Sequence, residues 1–141
     1  MDLIDHKLPD TIDVHLETPN GDLLYGEDDR GETDENKPFI IGLHLPQSEA
    51  MRQYDNKIHR KTLKAVNKRN SGKINTSLEE VREENLERLV AYTSHVKNVI
   101  YNKEKITKDN IYKVYADPNL GFIKNQLEKR LEGYSSFLGE S

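Results

Sequence analysis

Residues 39–45 read FIIGLHL, the densest apolar run in the first third of the chain, closed by Pro46. Its length, β-branched content and proline stop predict a strand, the best buried of the protein. Two weaker candidates precede it. In 11–26, TIDVHLETPNGDLLYG, alternation places Ile12, Val14 and Leu16 on one face. Asn20-Gly21 then supplies the turn of a tight hairpin, and Leu23, Leu24 and Tyr25 form the returning strand. A lone hairpin is marginal in water, so 39–45 makes a three-stranded antiparallel sheet possible. The predicted class is α+β, with a short β-rich part over 1–46 and a mainly helical body over 47–141, in a single domain.

Between the hairpin and the third strand, 27–37 (EDDRGETDENK) carries six acids and no apolar side chain. It is expected to be an exposed loop, since its own contacts cannot offset the entropy of ordering it. Asp28, Asp29, Glu32, Asp34 and Glu35 do not follow the spacing of a calcium loop, and no metal site is expected there.

Beyond Pro46 the apolar period becomes helical. Ser48 and Glu49 open a helix over about 48–69, with Met51, Tyr54, Ile58 and Ala65 on one face. Arg52, Lys57, Arg60, Lys61, Lys64, Lys68 and Arg69 surround them, a basic face suited to solvent or to an acidic partner. A second helix is expected over about 77–100, following a Thr76/Glu79 capping box, with Leu86, Leu89, Val90, Thr93, Val96 and Ile100 in its stripe. YNKEKI, 101–106, reads as a short connection, and Thr107 caps a short helix to about Tyr115. Asp117-Pro118 starts the last helix, about 118–138, whose stripe is Leu120, Ile123, Leu127, Leu131, Tyr134 and Phe137.

Composition narrows the chemistry. The 141 residues include no cysteine, which removes disulfides and thiolate sites. Neither a leader peptide nor an apolar run of about 18 residues is evident, so an intracellular soluble protein is expected. The net charge of −4 is unevenly spread: residues 1–50 carry 13 acids and 3 bases, residues 51–141 carry 12 acids and 18 bases. His6, His15, His44, His59 and His95 form no metal-binding spacing. The Glu79–Glu87 acids read as a solvated helix face, and Ser48, Ser94 and Ser135 lack a triad context. A non-enzymatic protein without cofactor is the expectation. Its partner contacts are sought among the basic residues Arg60, Lys61 and Lys64 and the aromatics Tyr54, Tyr112, Tyr115, Phe122, Tyr134 and Phe137, each aromatic having the core as its alternative.

The motifs also form an ordered set: Ser48, Ala50 and Tyr54; Leu86, Leu89, Val96 and Val99; Thr107, Asn110, Tyr112 and Val114; then Pro118, Ile123, Gln126, Leu127, Tyr134 and Phe137. From Phe39 to Phe137 this order resembles the tail assembly chaperones of long-tailed bacteriophages. The resemblance implies a protein of the host cytoplasm that binds the tape-measure protein, and tail tube protein in some cases, while the tube assembles. It further implies self-association and, in some relatives, a longer frameshifted form. Two other classes fit the sequence: a structural virion component such as a tail-completion or head–tail joining protein, and a nucleic-acid binder acting through the basic helix.

Overall fold

The computed structural model describes residues 2–58 and 78–137. Its centre is the predicted run: Ile40–His44 forms strand β4, flanked antiparallel by β1 (Thr11–His15) and by β5 (Thr93–Lys97). Alternation sorts the faces. Val14, Ile41 and Leu43 point into the core, whereas Asp13, Gly42 and His95 share the opposite face in register. The fold is α+β, as expected.

Against the buried face lie α1 (helical over 49–58), α2 (Leu78–Tyr92), α3 (Tyr112–Ala116) and α4 (Gly121–Phe137). Met51, Leu86, Leu89, Val114, Ile123 and Leu127 join the sheet residues in one apolar cluster. At about 25 cal/mol per Å² of apolar surface withdrawn from water, this shared core is what holds sheet and helices together. Ser48, itself buried, opens α1 by accepting the Met51 amide on its hydroxyl at 3.4 Å. The rest of the expected 48–69 helix lies outside the described residues, as does Thr76.

Several expectations need correction. The second helix stops at Tyr92 rather than continuing to 100, because Thr93–Lys97 pairs with the open edge of β4. Thr93 and Val96 fit both periods; a bulge opposite Gly42/Leu43 keeps both on the inner side of the strand. Asn98, in the left-handed region at φ 64°, turns the chain out of β5. YNKEKI is not a plain connection: β6 (Ile100–Tyr101) and β7 (Glu104–Lys105) form a hairpin whose two turn residues, Asn102 and Lys103, both have positive φ.

The Asn20-Gly21 turn forms, with Gly21 at φ 89° and the Thr18 amide donating to the Asp22 carbonyl at 2.8 Å, but it closes only a Glu17–Leu23 bridge and the Leu24-to-Leu16 bond. The main partner of β1 is β4, since that five-residue ladder covers Val14, Ile41 and Leu43, whereas the return strand offers only two leucines. Residues 27–37, expected as a loop, instead supply much of a second hairpin, β2 (Tyr25–Glu27) with β3 (Thr33–Pro38). The acids order their own turn. Asp28 Oδ1 accepts the amides of Arg30 and Glu32 at 2.8 and 3.0 Å, and Asp34 accepts that of Asn36 at 2.9 Å. Finally, the short helix begins at Tyr112 rather than near Thr107, and a 3-10 turn over Pro118–Leu120 precedes α4.

Candidate functional site

Polar residues of the ordered motif, with Asp117 beside its Pro118, act as anchors. Asn110 Oδ1 accepts the Thr107 amide at 2.6 Å while its Nδ2 donates to the Lys105 carbonyl and to Glu104, which fixes the turn between β7 and α3. Asp117 receives the Tyr101 hydroxyl at 2.7 Å on one oxygen and the Asn119 amide at 2.9 Å on the other. Both bonds, the Tyr101 one first, hold its carboxyl below the usual range. Gln126 reads the backbone of Glu17 in both directions, its Oε1 accepting the amide at 2.9 Å and its Nε2 donating to the carbonyl at 2.6 Å. That pair pins α4 to the strand end 109 residues earlier.

Between α2 and α4 the surface opens into a cleft of about 310 Å³. Leu89, Tyr92 and Leu131, all core residues, form its floor; Asn85 and Arg88 stand on the α2 side, Glu128 and Glu132 on the α4 side. The Arg88 guanidinium lies 5.7 Å from the Tyr92 ring centre, and Lys124 sits 3.8 Å from Glu128. An apolar floor between charged lips suits an amphipathic segment.

The expected partner residues fall in different places. Tyr115 is a core residue, 4% exposed, and its hydroxyl bonds Thr93 Oγ1 at 2.7 Å. Since Thr93 spends its own proton on the Leu89 carbonyl at 2.9 Å, Tyr115 is the donor. Burial pushes the Tyr115 phenol far above its ordinary value. Tyr112 is 38% exposed and donates to the Glu83 carboxylate at 2.7 Å, a bond that raises its pKa. Tyr54 and Phe122 are half-buried against the core, and burial, followed by the Glu87 charge, raises the Tyr54 pKa. Tyr134, half-buried, lies one turn beyond the cleft residue Leu131 on α4. Arg60, Lys61, Lys64 and the Phe137 side chain lie outside the described residues.

The outer face of the sheet holds a group that sequence spacing did not bring together. His95 lies across Gly42 to place Nε2 2.7 Å from Asp13 Oδ1, and its Nδ1 is 3.2 Å from Ser94 Oγ. A Cβ on residue 42 would fall within the imidazole, so only glycine leaves this path open. The group is a clamp tying β5 to β1 over β4. The signal for it was the glycine inside an apolar strand. Nearby, burial first, then the charges of Lys108 and His95, lower the pKa of His44.

Among the described residues no helix is long and apolar enough to cross a membrane, and no group of three or more acidic or histidine side chains could hold a metal ion. No protein-family model matches the chain, and no curated protein or solved structure matches it.

Proposed function

We propose that the protein is a tail assembly chaperone of a long-tailed bacteriophage, acting in the host cytoplasm by binding rather than by catalysis. It holds a helical segment of the tape-measure protein until tube subunits polymerise around it. The observation that carries this reading is the α2–α4 cleft, which lies between two of the helices bearing the motifs that resemble that family. A helix laid in such a groove buries apolar anchors at i, i+3 and i+4 over Leu89, Tyr92 and Leu131, while Arg88, Glu128 and Glu132 set its charge pattern.

Co-expression with the tape-measure protein and pull-down tests the reading. Asn85 is exposed on the lip, so Asn85→Trp covers the apolar floor without replacing a core residue and is expected to weaken retention about tenfold, the equivalent of about 1.4 kcal/mol. Failure of the wild-type chain to retain either tape-measure or tube protein would refute the proposal. Stoichiometric presence in mature particles would point instead to a structural virion component.

A further inference from the structure

The cleft has a continuation along α2. Leu78, Val81, Asn85, Arg88 and Tyr92 stand alternately three and four residues apart, the spacing of a coiled-coil seam over two heptads. At about 100° per residue, Leu78 and Val81 lie about 80° and about 140° round the helix from Leu86, which the core takes, so both aliphatics are left outside it. Leu78 is 87% and Val81 42% exposed. The seam then runs past Asn85 and Arg88, both exposed, to Tyr92 on the cleft floor. From Leu78 to Tyr92 it spans about 21 Å, at about 1.5 Å of rise per residue.

We infer that the tape-measure segment held in the cleft continues along this seam as one helix of about 15 residues, paired with α2 through two heptads. Its chemistry follows from the seam: aliphatic residues over Leu78 and Val81, an amide or hydroxyl side chain opposite Asn85, and a carboxylate opposite Arg88, whose guanidinium lies 5.7 Å from the Tyr92 ring centre. A polar residue at an inner heptad position costs affinity and fixes register, because only a hydrogen-bonding mate satisfies it once water is excluded. An extended strand does not match the seam, since its side chains on one face repeat every second residue. The inference rests on the reading of the cleft as the site of a tape-measure helix, and adds how far that helix extends and what it carries.

Labelled peptides of about three heptads, tiled along the tape-measure protein and titrated with the full chain by fluorescence anisotropy, test it. One stretch is expected to bind and to gain helical circular dichroism on binding. L78S/V81S, altered only at exposed positions, is expected to bind it about tenfold more weakly while melting at the wild-type temperature. R88E is expected to weaken binding as well, and replacing the facing acid of the peptide by lysine to restore it. Binding that N85W weakens and L78S/V81S leaves unchanged confines the segment to the cleft and overturns the inference, with the proposed function intact. A bound peptide that stays non-helical, or a loss in R88E that no charge reversal in the peptide recovers, also overturns it. No peptide binding while the whole tape-measure protein is still retained overturns the inference alone; loss of both defeats the proposed function as well.

Discussion

Thr93 shows how much one side chain can settle. Fully buried at the junction of α2 and β5, it gives its proton to the Leu89 carbonyl and accepts one from Tyr115. The two partners are unequal on removal. Tyr115→Phe leaves Thr93 still bonded to Leu89 and is expected to cost about 1 kcal/mol, whereas Thr93→Val strands the buried Tyr115 hydroxyl and should cost roughly 2–3 kcal/mol. Urea titration of both variants measures the difference, and equal losses would contradict this account. The same burial fixes a pH dependence. Because the folded-state pKa of Tyr115 lies above its unfolded value of 10.0, its contribution is complete below pH 10 and is lost as pH rises beyond it. Tyr115→Phe is therefore expected to flatten the alkaline limb of the stability profile.

At the scale of the element, the sheet depends on an absence of side chain. Gly42 sits in the middle strand, where glycine weakens local structure, and the space above it is occupied by the His95 ring on its way to Asp13. Gly42→Ala would push the ring aside and break the clamp, with an expected loss of about 1–2 kcal/mol. In a His95→Ala background the same change should cost much less, because the obstacle has gone. Thermal denaturation of the two single variants and the double variant closes this cycle, and additive losses would show that ring and glycine act independently.

Across the whole molecule, Gln126 joins the last helix to the segment that follows the first strand. Its amide completes the backbone hydrogen bonding of Glu17 from a helix 109 residues away, while neighbouring Leu127 enters the core with no exposed surface. Gln126→Ala is expected to lower stability by roughly 1–2 kcal/mol and to raise amide exchange at Glu17 itself. Unchanged exchange there would mean that the pin carries no load. The pair thereby holds α4, one side of the α2–α4 cleft, against the segment that follows β1.

The elements whose information is local were legible from residues alone: the 39–45 strand, the Asn20-Gly21 turn, the Ser48 cap and the Asp117-Pro118 start each follow from side-chain chemistry within a few positions. Gly42 also stood in plain view, though its meaning depended on a histidine from another strand. Tertiary structure decided what depended on distant partners. Thr93–Lys97 fits a helix or a strand by period, and the unpaired edge of β4 chose the strand. The acids of 27–37 had no apolar contacts to order them, but their carboxylates bonded their own amides and β2 supplied the ladder. The cleft is likewise set by how α2 and α4 pack, because apolar periodicity names the residues that turn inward and not the gap left between two helices.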